Sequence, residues 1–472
     1  MSDLAKYCPE PQMNHPGHPL RICLGQASFR AALIIALALR AALGETGLPK
    51  EDLEFLREMT RDVIQASRVK PGSNGGGKWT ITNSCGFALL TPGKDTYTAY
   101  WIRDFSMAVE CGFITAEELR DHLVLTCKGQ NGPAERKLAN GLHVPPWAIP
   151  DHINYDGRPT FYPGTYAAGE DQGSGACGRV PPIDDHYEFV HIAYAYWKLT
   201  NDTKIFSTEL NGVRVFERLE KAFASPTTDA ATGLAITTEG DRAVGFGFCD
   251  GETHTGKLLF ASLLRYRAAG ELAELAVALG QKDRAPKYRK VQKALRASIG
   301  PTFAKPAVIG GWLRASTQLS RQPDVWGTLF ALHLNVLGAG QADRARQTVA
   351  EAVRRGTITL EGAVRQVPTD MDFSKTTAWE RSFCPLNTYQ NGGYWHTASG
   401  WLIEALWKYE RKLALQVFDE MIRHLREQDF RKGPGHGAPW EVFGRNGSQN
   451  PVYMASVALP YSILKRSPGN PD

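Results

Sequence analysis

Apolar residues recur at three- and four-residue spacing along most of this chain, and they rarely alternate. That period predicts helices over 27–44, 51–67, 100–112, 115–128, 185–200, 203–223, 254–280, 282–299, 324–338, 341–355, 395–409, 411–428 and 449–465. Many are joined by short polar turns, as in "LGAGQADRA" at 337–345. In "ELAELAVALGQKDRAPKYRKVQKALRASIGPTF" a helix turns at Gly280 into a second one, which should stop at Gly300-Pro301. Helical hairpins without a run of alternating strands exclude a doubly wound α/β fold. They predict an all-α chain in which an inner ring of helices is wrapped by an outer ring.

Length fits that plan. A chain of 472 residues is long for one ordinary domain, but toroids reach this size. Residues 1–472 therefore read as one catalytic-sized domain, with 1–25 an N-terminal extension and 466–472 a tail. The net charge of +5 is small and spread out, with no basic block that would suit nucleic acid. The most apolar run, "AALIIALAL" at 31–39, is too short to span a bilayer and reads as a buried helix, so no membrane partner is expected. The opening "MSDLAKYCPEPQMNHPGHPL" lacks a basic stretch followed by an apolar core, and so shows no secretory signal. Cys8, Cys23, Cys85, Cys111, Cys127, Cys177, Cys249 and Cys384 are scattered, without CxxC or metal-ligand spacing. They read as reduced thiols of a cytoplasmic protein, and no metal motif is expected.

Long connections at 70–98, 129–183 and 356–394 are rich in Gly, Pro and aromatic residues. Compact domains seldom carry such loops unless they build a site. "WAIPDHINYDGRPTFYPGTY" is too aromatic for a disordered segment. The loops should form a pocket at one end of the ring, and 11 Trp supply flat faces on which sugars stack.

Four stretches carry candidate chemistry. "YWIRDFSMA" sets Arg103 and Asp104 at a helix start between Trp101 and Phe105. Asp104 can cap the helix, or the pair can hold sugar hydroxyls by charge-assisted hydrogen bonds. "DDHYE" presents Asp184 and Asp185 ahead of another helix, with His186 next. Asp185 with Glu188 three residues on predicts a capping box, which leaves Asp184 free to face a pocket and donate a proton. "NTYQNGGYWHTASG" brings Gln390, Asn391, Tyr394, Trp395 and His396 around a Gly-Gly turn, a mix that lines sugar subsites or packs a core. "GHGAPWEVFGRNG" wedges Glu441 between Trp440 and Phe443 just before the last helix.

Together these segments resemble glycoside hydrolase family 100, the alkaline/neutral invertases. "GACGRVPPIDDHYEFVHIAYAYWKLTND" is similar to that family's Gly-Arg-Val-Ala-Pro-Val-Asp run and aromatic helix. "IRDF" resembles its Arg-Asp-Phe, "NTYQNGGYW" its Tyr-His-Asn-Gly-Gly-Ser-Trp, and "APWEVF" its Trp-Pro-Glu-Tyr-Tyr. The matches are collinear over roughly 100 to 460, and families 63 and 37 share the plan. The resemblance implies an (α/α)6 toroid and an inverting, cofactor-free glycosidase whose partner is a small carbohydrate. By position Asp184 would be the general acid and Glu441 the general base. Arg103 and Asp104 would meet the glycone, and the carboxyls would stand about 6.5–9.5 Å apart. The invertases have Ser-Gly where this chain has Asp185-His186, and Ser-Trp-Pro where it has Tyr394-Trp395-His396. Those departures fall in the expected pocket, and the substrate implied is an α-linked glycoside, sucrose-like or with a small aglycone.

Two other readings remain open on the residues. His186, His191 and His396 suit a toroid polysaccharide lyase or sugar epimerase, which work through histidines rather than a carboxylate pair. A carbohydrate-binding toroid without catalysis is the second. The sequence is compatible with a homo-oligomer.

Overall fold

The computed structural model describes residues 47–74, 81–138, 141–163, 178–243, 252–371, 380–382, 384–445 and 447–466. The expected helix at 27–44, with its apolar run, and the extension at 1–25 lie outside the described residues.

Among the described residues twelve helices longer than one turn follow in chain order: α1 Lys50–Ala66, α2 Ile102–Ala108, α3 Ala116–Gly129, α4 Asp184–Thr200, α5 Val215–Ala224, α6 Leu259–Ala278, α7 Ala285–Phe303, α8 Val325–His333, α9 Ala339–Arg354, α10 Ser399–Trp407, α11 Arg411–Glu427 and α12 Ala455–Leu464. They fall into two classes by burial. The even-numbered helices are buried nearly all round: every residue of α2 is buried, and so are Val325 to Leu332 of α8. Odd-numbered helices bury one stripe. In α11 the stripe is Leu413, Ala414, Val417, Phe418, Met421, Ile422 and Leu425, and in α1 it is Leu56, Met59, Thr60, Val63 and Ile64. A helix apolar on all sides must sit inside, and one with a single stripe must sit at the surface.

Contacts follow the same division. α2 packs on α4, α4 on α6, α6 on α8, α8 on α10, α10 on α12, and α12 back on α2. The striped helices lie outside this cycle: α5 packs on α4 and α6, α9 on α8 and α10, and α11 on α10 and α1. One contiguous hydrophobic core runs from Leu48 to Leu464 through both layers.

The connections are lopsided. After an even-numbered helix the chain enters the next odd-numbered one quickly, as from Trp407 to Arg411. Before each even-numbered helix it makes a long excursion, as from Arg354 to Ser399 or Gly129 to Asp184. These excursions hold short antiparallel strands that the helical period did not announce, so the chain is helix-rich rather than purely helical. The largest sheet runs Thr359–Leu360, Ala363–Arg365, Tyr394–Trp395, Val442–Gly444, Gly447–Gln449. A three-stranded sheet joins Ala99–Trp101, His152–Asn154 and Pro159–Thr160, with Trp101 opposite His152. Further pairings tie the loops together, with Gly178 on Ala243 and Glu252–Thr253 on Arg381–Ser382.

Several helix ends differ from expectation. The 203–223 segment breaks into a 3-10 turn, a hairpin and α5. α7 runs through Gly300-Pro301 to Phe303; so close to the helix end, the missing N–H of Pro301 costs one bond and no continuing helix is lost. Gly280 turns the chain as expected, with φ +72°. The thiols of Cys85, Cys111 and Cys127 are free, Cys384 is buried, and Cys8, Cys23, Cys177 and Cys249 lie outside the described residues.

Candidate active site

The sequence candidates gather at the N-terminal ends of the even-numbered helices, where the long excursions enter. Arg103 is the hub of the first group. Its backbone is in the first turn of α2 and its guanidinium is 2% exposed. Nε donates to Asp184 Oδ2 at 2.5 Å and Nη2 to Asp184 Oδ1 at 3.0 Å. The same Nη2 lies 3.4 Å from Asp185 Oδ2 and 3.7 Å from Asp151 Oδ1. Asp151 also takes a 2.8 Å contact from His152 Nδ1. All three carboxylates are fully buried. So Arg103 pairs with the far aspartates of α4, not with its neighbour Asp104.

The expected capping box at α4 does not form. Ile183 occupies the N-cap, no side chain caps there, and both Asp184 and Asp185 belong to the first turn. Glu188 turns away: Ser106 Oγ and Arg267 Nη2 each donate to its Oε2 at 2.5 Å. The pull of Arg103 outcompetes the helix amides for the aspartates, because a charge-assisted bond inside a dry interior exceeds a neutral cap. Burial pushes the Asp184 carboxyl above its ordinary range, against the pull of Arg103, with Glu188 and Asp151 adding to the rise. Asp185 is pushed well above it, by burial first and then by Asp184 and Asp151, while Arg103 pulls it down.

Glu441 forms the second group. It is 2% exposed, just ahead of the strand Val442–Gly444. The hydroxyl of Tyr389 donates to Oε1 at 2.7 Å, and Tyr97 Oη and Asn450 Nδ2 both donate to Oε2. Two hydroxyls and one amide thus converge on this carboxylate and hold its orientation. Tyr453, immediately before α12, joins the groups: its hydroxyl donates to Asp104 Oδ1, and its ring lies 6.1 Å from Tyr97. Arg103 and Asp104 are adjacent, so one turn of α2 faces both carboxylate centres. Trp101 stacks on His152 at 4.5 Å and meets Tyr97 edge-on at 5.0 Å, which places an indole beside this line of polar groups.

The other candidates separate into near and far. Trp440 is half-buried beside Glu441, and Tyr394 lies on the strand paired with Phe443. Gln390 is buried. Asn391 donates to the Cys384 carbonyl at 2.8 Å and so holds a loop. Trp395 is fully buried against Trp326 and Tyr389, which makes it core rather than a sugar platform. His396 is fully buried, bonded to the Glu361 carbonyl at 3.0 Å and packed under Phe443 and His424; burial lowers it to about 3. His186 accepts from the Ile149 amide at 3.4 Å, and burial lowers it to about 4. His191 bonds Glu271 at 2.6 Å. These histidines have separate structural partners. The Gly-Gly turn serves packing too: Gly392 has φ +110°, and a Cβ there would meet the Arg365 guanidinium at 2.6 Å.

Sequence reading missed Tyr97, Tyr389, Asn450, Tyr453 and Asp151. Tyr389 lies within "NTYQNGGYW" but was not singled out there, and only the fold brings all five to the carboxylates. A cavity of about 200 Å³ opens a turn or more further along the even-numbered helices, lined by Glu188, His191, Arg267, His333, Trp401 and Glu404 among others. Among the described residues no group of three or more His, Cys, Asp or Glu is arranged to hold a metal. No described helix is long and apolar enough to cross a membrane.

No family model matches the sequence, and no curated protein matches it. Solved structures do resemble the fold. The family 63 mannosylglycerate hydrolase of Thermus thermophilus, in complex with glucose, superposes with a TM-score of 0.54 at 14% identity, over 86% of this chain and 99% of that one. Glucoamylase of Saccharomycopsis fibuligera gives 0.52 at 13% identity, over 88% and 96%. A family 78 rhamnosidase of a Bacillus species gives 0.53 at 12% identity, over 89% of this chain and 36% of that longer one. What this chain shares with these glycosidases, at such identities, is the architecture.

Proposed function

We propose that the chain is an inverting glycoside hydrolase built on an (α/α)6 barrel, and that it cleaves an α-linked glycoside with a small aglycone in the cytoplasm. The observation that carries the reading is a pair of buried carboxylate centres in opposite settings at one end of a helical cycle. Asp184 and Asp185 crowd together with Asp151, which favours the proton-holding form. Glu441 is held by the hydroxyls of Tyr97 and Tyr389 and the amide of Asn450. The glycosidase activity of the fold neighbours and the collinear family 100 motifs support the same reading.

In this mechanism Glu441 takes a proton from water as the water attacks the anomeric carbon. The acid at the start of α4, Asp184 by its motif position, protonates the departing oxygen. Tyr97, Tyr389 and Asn450 hold Glu441 in one orientation, and Asp104 and Trp101 would meet the glycone. Asp184→Asn and Glu441→Gln, assayed on a panel of α-linked disaccharides and glycosides including sucrose and trehalose, should each lower kcat by at least about 10²–10⁴-fold. Thermal melting run in parallel separates lost chemistry from lost folding. Turnover near wild type in either variant removes that residue from the mechanism.

A further inference from the structure

We propose that Asp185 is an un-ionised carboxylic acid at neutral pH and holds the proton of the Asp184–Asp185 pair, with Asp184 as its fixed anionic neighbour. The reasoning is a charge count in a closed space. Asp151, Asp184 and Asp185 are each fully buried, and all three share the guanidinium of Arg103. His152 can add at most one positive charge, through its contact with Asp151. Among the described residues two cations at most then face three carboxyls, and a buried net charge is far costlier than a bound proton. At least one carboxyl stays protonated.

The other charged or titratable groups described around the cluster do not change the count. Glu188, one turn along α4, is matched by Arg267 from α6. His186 is neutral, since burial holds it down to about 4. Tyr100, on the strand leading into α2, is a phenol that burial pushes further up.

Hydrogen bonding then selects the holder. Asp184 takes two bonds from Arg103, one on each oxygen, in the geometry that suits an anion. Asp151 takes a 2.8 Å bond from His152 on Oδ2, while its Oδ1, 3.7 Å from Arg103, has no donor among the described residues; Asp185 lacks even one short bond. Asp185 has one long contact at 3.4 Å, and no donor among the described residues reaches its Oδ1. A buried anionic oxygen without a donor is the state that proteins avoid, and a proton on Asp185 removes it. This gives the second aspartate of "DDHYE" a role that is neither cap nor spectator.

The inference rests on the glycosidase reading and refines it: at rest the one proton of the pair sits on Asp185, and Asp184 protonates the departing oxygen only by drawing on that proton. The pair then gains one negative charge, Glu441 gains the proton of the attacking water, and exchange with solvent restores both. Its test does not depend on turnover.

Infrared difference spectra of the full-length chain at pH 7 read the state directly. Asp185→Asn should remove the carbonyl band of one un-ionised carboxyl and leave carboxylate absorption unchanged. Asp184→Asn should instead remove carboxylate absorption. Asp324, a buried N-cap whose carboxyl is likewise pushed up by burial, supplies a control, since Asp324→Asn should remove its own band and spare that of Asp185. If Asp185→Asn subtracts a carboxylate band, the proposal fails. Should that variant not fold, wild-type protein carrying carboxyl-labelled aspartate decides by carbon NMR. An un-ionised aspartate at pH 7 that persists in Asp324→Asn is expected, and its absence overturns the proposal. An intact Asp185 band in a protein that hydrolyses nothing would sink the glycosidase reading and leave this one standing.

Discussion

Arg103 shows how little of a site's logic one residue reveals alone. In sequence it sits beside Asp104 and invites a local pair; in the fold it reaches the first turn of α4. Removing it, as in Arg103→Met, strands buried carboxylates and should cost about 3–5 kcal/mol, read by chemical denaturation. The raised Asp185 carboxyl has its own pH signature. Its folded form binds a proton more tightly than the unfolded chain, so its contribution is full below about pH 4 and is lost as pH rises toward the folded value. Asp185→Asn should therefore gain on wild type as pH increases, and a constant difference from acid to neutral pH would contradict this. His396 runs the other way. Its pKa falls to about 3, so the folded state loses stability as pH drops below about 6.5. His396→Asn should flatten that acid slope. At this scale the sequence displayed the carboxylates and hid their partners, because Tyr97, Asn450 and Tyr453 carry no motif and are collected only by tertiary packing.

Elements were legible where their period was long. α1, α3, α9 and α11 match the expected spans to within a residue or two, since an outer helix must keep a clean stripe. The start of α3 is an intact capping box between Thr115 and Glu118, and Thr115→Ala should cost about 1 kcal/mol. At α4 a similar spacing, Asp185 to Glu188, made no cap. The difference is burial: Thr115 is at the surface and bonds the helix amide, whereas Asp185 sits inside against a guanidinium. Short strands were missed because two or three residues give no period to detect. The Gly392-Gly393 turn was legible as a turn but not in purpose. Gly392→Ala would press a methyl into Arg365 at a positive φ, and should lower the melting temperature measurably while leaving the carboxylates in place.

The layered plan of the whole molecule could be read from helical hairpins without alternating strands, and the location of the site from the long loops rich in Gly, Pro and aromatic residues. Closure of the helical cycle could not, since it depends on contacts such as α12 with α2 that no local pattern states. Gly400 marks one seam, where a Cβ would meet the Pro460 Cα at 2.8 Å between α10 and α12. Gly400→Ala should cost about 1–3 kcal/mol by forcing that seam apart, and an unchanged denaturation midpoint would show the ring to be looser than described. The central claim, however, is chemical. Proton NMR of the first sugar released from an α-linked substrate by wild-type enzyme tests it most directly, read before mutarotation and beside Glu441→Gln. Single displacement through Glu441 predicts the β anomer from wild type and no product from the variant. Release of the α anomer, or turnover that survives the variant, would contradict it.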